Sequence, residues 1–211
     1  MKIKQINPND SELIISLASI KDAGGIHRVL MKNLVEIENF DDLSEEERVR
    51  LEKKGFLRKK VDVEYYENLI EDPTVDVYIA KYKYKNVIGF ATLYKDETDV
   101  KFVRDTSINL HIEDALAKNL LTSKNKKFAY LDQISIIPKF QRKKIGTAIL
   151  NKALEELADP IVSFIVKVPI ANKASVYWHE QNGFKLTGTC DGAYKGKTFE
   201  WSIYIHWNKK N

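Results

Sequence analysis

The residues best suited to chemistry in this sequence are three consecutive cations that stand immediately before a helical pattern. They are Arg142 to Lys144, with Gly146 close behind. From Ile145 onward, apolar residues recur at the spacing of one helix face. The first N–H groups of a helix have no intrahelical partner and lie at the positive end of its dipole, so they bind phosphate oxygens. The segment therefore predicts a site for a ligand that carries a pyrophosphate.

Two better-known phosphate-binding motifs do not fit this segment. A nucleoside triphosphatase loop ends in Gly-Lys-Ser/Thr, which the segment lacks. A dinucleotide-binding turn needs three spaced glycines and an acidic ribose partner, whereas this turn has only Gly146. The alternative interpretation is a solvated basic turn between a strand and a helix.

Two apolar runs of strand length flank this helix in the chain. The first is Phe128 to Ile137, which is rich in aromatic and branched residues and is followed by Pro138. The second is Ile161 to Val168, and after it comes the segment from Asn172 to Phe184. The order is thus strand, basic turn, helix, strand and a further helical segment.

In this order the segments resemble the GNAT acetyltransferase superfamily. The acetyl-CoA motif of that family is Gln/Arg-x-x-Gly-x-Gly/Ala, which Gln141 and Gly146 match. Lys144 replaces the first glycine, so the turn must tolerate a side chain there. A weaker match lies upstream, where Ile15 to Leu30 is similar to the first strand and first helix of the family.

The second family motif is an Asn, a Tyr seven residues on, and Gly-Phe four residues later. Asn172 and Gly183-Phe184 match it, and His179 stands in place of the tyrosine that many members use as general acid. Some members carry a glutamate base five residues before the Asn. That position here is Lys167, which cannot accept a proton while it is protonated.

The resemblance implies acetyl-CoA as a cosubstrate and assigns roles to individual residues. Asn172 would hydrogen-bond the cofactor arm, although Asn is also a preferred helix cap and the two roles can coexist. Pantetheine amides would pair with the backbone of β-strand residues, and the pyrophosphate would lie on the turn. The expected cofactor-binding residues are Ile134, Ser135, Ile136, Gln141, Arg142, Lys143, Lys144, Ile145, Gly146, Thr147 and Asn172.

The catalytic residues that we expect are His179 and Asp132. His179 would protonate the departing thiolate, because histidine titrates near neutral pH; the alternative is a surface histidine on a helix. Asp132 is a carboxylate in an apolar strand, which is unusual. It would act as base, pair with a lysine, or bind the acceptor as a counter-ion. Water relayed through Gln133 or Ser135 is an equal alternative for the base.

Composition bounds the class of protein. The 211 residues are 44% hydrophobic and 30% charged, which suits a single domain over 1–211 with a helical insertion at about 41–70. A net charge of +4 suits an anionic cofactor but predicts no nucleic-acid partner. One cysteine and four histidines without ligand spacing predict no metal.

Without an apolar run of about 20 residues or a signal-peptide core, we expect a cytoplasmic protein with no membrane partner. The oligomeric state stays open.

The remaining elements complete a mixed α/β (α+β) pattern. The resemblance implies a central, mostly antiparallel sheet of about seven strands, flanked by helices on both faces, in which two central parallel strands diverge. Ser44 predicts a capping box and Gly55 a helix end. We expect strands at 13–18, 75–84, 86–94, 184–189 and 199–207, helices at 22–39, 44–55 and 61–70, partial helix at 97–127, and a last turn around Gly192 and Gly196.

The function that this pattern favours is an N-acetyltransferase that uses acetyl-CoA and a primary amine by direct attack. The alternative is a catalytically silent acyl-CoA sensor or regulatory module, because the tyrosine, the first glycine and the glutamate of the family are all replaced. A small-molecule or peptide amine is the expected partner.

Overall fold

The computed structural model describes residues 12–36, 42–57, 59–83, 86–95, 109–123, 125–194 and 197–208. Within them lie eight strands and six α-helices. The strands are β1 (Leu13–Leu17), β2 (Val75–Tyr82), β3 (Asn86–Tyr94), β4 (Asn109–Ile112), β5 (Ala129–Ile136), β6 (Ile161–Val168), β7 (Lys185–Tyr194) and β8 (Lys197–His206). The helices are α1 (Ala23–Asn33), α2 (Glu45–Lys54), α3 (Val63–Glu71), α4 (Ala115–Thr122), α5 (Ile145–Glu156) and α6 (Lys173–Gln181). Short 3₁₀ turns span Ile20–Asp22 and Pro138–Phe140.

The strands form one mixed sheet in the order β1-β2-β3-β5-β6-β8-β7-β4. The pairs β1–β2, β6–β8, β7–β8 and β4–β7 are antiparallel, and β5 pairs with β6 in parallel. The predicted mixed, mostly antiparallel sheet is confirmed. The sheet has one strand more than expected, because β4 pairs with β7 at its edge. None of the helices in the described ranges is long and apolar enough to cross a membrane.

The chain divides into two compact units. The first comprises Met1–Val35, Leu57–Leu93 and Asp132–Leu157. The second comprises Glu36–Phe56, Tyr94–Leu131 and Ala158–Asn211. The single domain inferred from the sequence stays a prediction.

In the first unit, the strands β2 and β3 are buried on both faces. Val77 to Ala80 in β2 are buried without interruption, and so are all residues from Val87 to Leu93 in β3. Successive side chains of a strand point to opposite faces, so continuous burial means that both faces are covered. Tyr66 of α3 packs edge-on against Phe90, and the Tyr78 hydroxyl of β2 donates to Glu156 of α5.

In the second unit, α4 covers one face of the strands. Its apolar residues Ala117, Leu120 and Leu121 recur at helical spacing and pack in a core with Phe128 and Trp201. Cys190 is buried in the same core, as expected for a packed cysteine. This core fixes β7 and β8 beside β6.

Several local predictions are confirmed by hydrogen bonds. The Glu47 N–H donates to Ser44 Oγ at 3.3 Å, and the Ser44 N–H donates to Glu47 Oε2 at 3.0 Å, which is the predicted capping box of α2. Gly55 ends that helix with φ of +73°.

Two predicted boundaries need correction. The first helix ends at Asn33, because Leu34 is extended and the chain pairs there with Leu57; residues 37–39 of the expected helix lie outside the described residues. Gly192 is not in the last turn, since it pairs with Phe199 inside the β7–β8 ladder. The turn expected at Gly196 lies outside the described part of the chain.

Candidate active site

The predicted pyrophosphate turn enters α5 through residues with left-handed backbone. Arg142 has φ of +60° and Lys144 has φ of +57°. The first intrahelical bond of α5 runs from the Ala148 N–H to the Lys144 carbonyl at 2.9 Å. The preceding N–H groups, which belong to Ile145, Gly146 and Thr147, therefore have no intrahelical partner. The turn thus presents a row of backbone donors at the positive end of the helix.

The conformation of Lys144 explains the replaced glycine. Only glycine adopts the left-handed region without steric cost, and for other residues it costs about 1–2 kcal/mol. Lys144 sits there as the N-cap residue of α5 and is exposed. The turn therefore tolerates a side chain, as the sequence predicted, at the expense of backbone strain.

The charges of the turn are unequally free. Arg142 and Lys144 are exposed, whereas Lys143 is half-buried with its Nζ 5.7 Å from the centre of the Phe140 ring. A cation over an aromatic face is held in place by the ring quadrupole. Arg142 and Lys144 are accordingly the exposed positive charges beside the helix start.

The amide nitrogen of Gln141 is engaged within the protein. Its Nε2 donates to the Ile136 carbonyl at 3.1 Å, and the Asn33 Nδ2 donates to the same oxygen at 3.1 Å. Both lone pairs of this carbonyl oxygen are thereby used. Of the backbone groups predicted to bind pantetheine, the Ile136 carbonyl is therefore already engaged within the protein.

Asn33 is a site residue that sequence reasoning missed. Besides Ile136, its Nδ2 donates to the Ser135 hydroxyl at 2.8 Å, and its main-chain carbonyl accepts from Leu57. It thus ties the end of α1 to the end of β5 and to the turn. An asparagine in the last turn of a helix is ordinary, so the sequence held no signal for this role.

Alternate residues of β5 have different surroundings. Leu131, Gln133 and Ser135 are buried, whereas Asp132 and Ile134 are half-buried. The parallel ladder with β6 comprises only Ala129–Ile161 and Tyr130–Val162, although both strands continue beyond it. Asp132 therefore lies beyond the residues of β5 that pair with β6. Its role as base stays a prediction.

Asn172 is engaged at both ends of its side chain. Its Oδ1 accepts from the Ser175 N–H at 3.2 Å, which makes it the N-cap of α6, and its Nδ2 donates to the Phe56 carbonyl at 3.1 Å. The capping role that the sequence left open is therefore present. The predicted contact with the cofactor arm would use the remaining donor and lone pair of the amide.

The Gly-Phe pair after α6 has a structural reason. Gly183 has φ of +83°, which reverses the chain after the helix. Phe184 then packs edge-on against His179, with ring centres 4.7 Å apart. The motif thus buries the residue that occupies the tyrosine position.

His179 is enclosed, with only 1% of its surface exposed. Its Nδ1 lies 2.7 Å from the Ser175 carbonyl oxygen, so Nδ1 carries the hydrogen of the neutral ring. Its Nε2 is buried and has no hydrogen-bond partner among the described residues. Burial lowers the pKa of His179 from 6.5 to about 4, against an opposing effect of the bond to Ser175.

This geometry argues against the general acid role that the sequence suggested for His179. A neutral imidazole with its hydrogen on Nδ1 has a lone pair, not a proton, at Nε2. The surface histidine considered as the alternative is not found either, because Trp178, Phe184 and Tyr204 surround the ring. His179 is a packed, neutral residue of the second unit.

Lys167 lies at a β-bulge and is paired. The β6–β8 register passes from Val166–Trp201 to Val168–Glu200, so Lys167 is the extra residue. Its Nζ lies 2.6 Å from Glu200 Oε1, and its side chain is 51% exposed. An ammonium group held by a carboxylate has no lone pair with which to accept a proton.

Sequence comparison identifies one family. The chain is similar over residues 37–184 to the Acetyltransferase (GNAT) family. No curated protein matches it in sequence. The matched range contains the turn, α5, β6 and α6.

Solved structures share the fold at low sequence identity. Arabidopsis thaliana NAA60 in complex with acetyl-CoA has a TM-score of 0.56 at 12% identity, covering 92% of this chain and 97% of that one. PaiA N-acetyltransferase from Thermoplasma acidophilum in complex with coenzyme A has a TM-score of 0.52 at 18% identity, covering 90% of this chain and 97% of that one. A chimera of spermidine N-acetyltransferase SpeG from Vibrio cholerae and hSSAT has a TM-score of 0.54 at 19% identity, covering 95% of this chain and 98% of that one.

Proposed function

Because this chain belongs to the GNAT acetyltransferase family, we propose that it is an N-acetyltransferase that moves the acetyl group of acetyl-CoA to a primary amine. The observation that carries the proposal is the turn from Gln141 to Lys144, which leaves the N–H groups at the start of α5 without intrahelical partners. The charges of Arg142 and Lys144 are complementary to a pyrophosphate. NAA60 and PaiA, which share the fold, were crystallised with acetyl-CoA and coenzyme A.

The cofactor would lie along the first unit through the backbone of β5 and the start of α5. Ile134 and Ser135 would pair with pantetheine amides as a neighbouring strand does. The N–H groups of Ile145, Gly146 and Thr147 would bind the pyrophosphate. Asn33 and Gln141 support this arrangement, because both hold the end of β5 in place through Ile136.

Acetyl-CoA supplies an activated thioester, whose acetyl carbon the acceptor amine attacks with loss of the CoA thiolate. An amine is mostly protonated at neutral pH, so a proton must leave it first. We assign this step to Asp132 or to water that Asp132 polarises. Backbone N–H groups near Ile134 would stabilise the negative charge that develops on the thioester oxygen.

The thiolate would leave without help from His179. It is a fairly stable anion, and the buried neutral imidazole has no proton at Nε2 to give. The acceptor nitrogen loses one proton before the attack and a second as the amide forms. The thiolate takes up one proton from solvent, so acetylation of a protonated amine releases one proton overall.

The test is release of free thiol from acetyl-CoA in the presence of a panel of amines. The panel comprises peptides with free N-termini, lysine, spermidine and amino acids. Thiol release that depends on one amine class supports the enzyme. Calorimetric binding of coenzyme A without any thiol release would favour the alternative of an acyl-CoA sensor, and the absence of both would overturn the proposal.

A further inference from the structure

Two polar side chains of the first unit are buried without a hydrogen-bond partner. Thr92 is 0% exposed and Gln133 is 4% exposed. Within the described ranges, neither Thr92 Oγ1 nor Gln133 Nε2 has a partner. Nearly all buried polar atoms in folded proteins are satisfied, because each that is not carries a desolvation cost. Each of these two atoms is therefore expected to have a hydrogen-bond partner in the folded protein.

The sheet brings the two side chains together. β3 and β5 are neighbours, and the Ile137 N–H donates to the Ile88 carbonyl at 2.8 Å. Ile88 is near the start of β3 and Ile137 follows the end of β5, so the strands can lie side by side only in antiparallel orientation. Counting along both strands from this bond places Thr92 opposite Gln133. Opposite side chains share one face, with Cβ atoms about 5 Å apart.

The amide of Gln133 is fixed at one end only. Tyr66 of α3 is fully buried, and its hydroxyl donates to Gln133 Oε1 at 2.8 Å. The NH₂ end is therefore the one without a partner. Exchanging the oxygen and nitrogen of the amide would only leave the carbonyl end unsatisfied instead.

We propose that Gln133 and Thr92 bind one internal water molecule between them. The site is enclosed by the protein, so its occupant is small. The NH₂ group repels a metal cation, and the two side chains bring no charge for an anion. Water can accept from the amide and form a second bond with the hydroxyl.

The water would complete a chain of hydrogen bonds from α3 through β5 to β3. The members are the Tyr66 hydroxyl, the Gln133 amide, the water and the Thr92 hydroxyl. This chain fixes the β5 residue that directly precedes Ile134. The water site belongs to the folded chain itself and does not depend on the acceptor or on catalysis.

A double-mutant cycle with Thr92→Val and Gln133→Met tests the proposal. A bound water and a dry pair predict opposite signs for the effect of Thr92→Val on stability. If water is bound, each substitution removes one of its partners and raises the unfolding equilibrium constant about tenfold. The two effects are then less than additive in free energy, since either variant already disrupts the bridge. If the pair is dry, Thr92→Val removes an unsatisfied hydroxyl and lowers the unfolding constant. Gln133→Met is destabilising in either case, because it also deprives the buried Tyr66 hydroxyl of its acceptor.

Ser163→Ala is the matched control for the loss of a buried hydroxyl. The Ser163 hydroxyl donates to the Leu131 carbonyl at 3.3 Å, so its removal is destabilising in either case. A high-resolution crystal structure of the unsubstituted protein provides the second measurement. Density for a water within hydrogen-bonding distance of both side chains supports the proposal. Stabilisation by Thr92→Val, or an empty site in that structure, would overturn it.

Discussion

Asp132 is the carboxylate on which the proposed proton transfer depends. It is half-buried on β5, two residues after Tyr130, the last residue that pairs with β6. General base catalysis by a positioned carboxylate contributes on the order of 100-fold or more. Turnover is therefore expected to depend strongly on this one side chain.

Replacing Asp132 by Asn should lower turnover on the order of 100-fold and leave coenzyme A affinity nearly unchanged. The acidic limb of the rate–pH profile should disappear with it, because that limb reports the base. Thiol release and calorimetry measure the two quantities. Glu155→Gln, at an exposed carboxylate of α5, is the control and should change neither. Full activity of the Asp132 variant at every pH would place the base elsewhere.

His179 is expected to contribute little to the chemical step. Since its ring is neutral and carries its hydrogen on Nδ1, His179→Phe should keep turnover within about threefold of the parent, far less than the loss of a general acid costs. The measurement is thiol release under conditions where chemistry limits the rate. A loss on the order of 100-fold, with coenzyme A affinity intact, would restore the acid role.

At the scale of elements, the turn into α5 combines a binding function with strain. Its left-handed residues, Arg142 and Lys144, orient the first N–H groups of the helix, and neither of them is glycine. Backbone strain of this kind persists where the surrounding structure holds the residue in place, and such positions cluster at functional sites.

Lys144→Gly should relieve this strain and stabilise the protein by up to about 1 kcal/mol, after the greater flexibility of glycine in the unfolded chain is subtracted. Lys144→Ala is the matched control, because it removes the same charge but keeps a Cβ. Denaturant unfolding of both variants separates the two effects. Equal stability of the glycine and alanine variants would show that the backbone at this position is relaxed.

Gly146→Val should weaken coenzyme A binding at least tenfold, about 1.4 kcal/mol. The residue is buried in the first turn of α5, and a branched side chain there would prevent close approach of the pyrophosphate to the backbone. Calorimetry gives the affinity, and circular dichroism checks that the helix is retained. Unchanged affinity in a folded variant would remove this turn as the phosphate site.

At the scale of the whole molecule, the buried His179 makes stability depend on pH. Burial holds its pKa near 4 in the folded protein, whereas in the unfolded chain the ordinary value of 6.5 applies. Between these values the unfolded state binds the proton and the folded state does not. Stability should therefore decrease as the pH falls below about 6.5, and the decrease should end near pH 4.

The expected loss from this one group is about 2 kcal/mol between pH 7 and pH 5, and about 3 kcal/mol in total. Urea unfolding of the parent protein and of His179→Phe at several pH values measures it. The variant should show a shallower pH dependence by that amount. If the two curves are parallel, the ring is already accessible to protons in the folded state.

The elements around the turn could be predicted from the sequence, because local rules govern them. Pro138 ends a strand because it has no N–H to donate. Ser44 caps a helix and Gly55 closes it through hydrogen bonds to residues nearby in the chain. The family motifs likewise identified the turn, Asn172 and the Gly-Phe pair. The local sequence therefore determined the order of strand, turn and helix, and with it the proposed class of cofactor.

Tertiary structure decided what those residues are able to do. The neutral state of His179 results from burial beside Phe184 and Tyr204, and Lys167 is held by Glu200 of another strand. The support of β5 by Asn33 and the edge strand β4 also join segments far apart in the chain. Charge state, proton position and hydrogen-bond occupancy depend on such distant neighbours, whose placement no local spacing encodes.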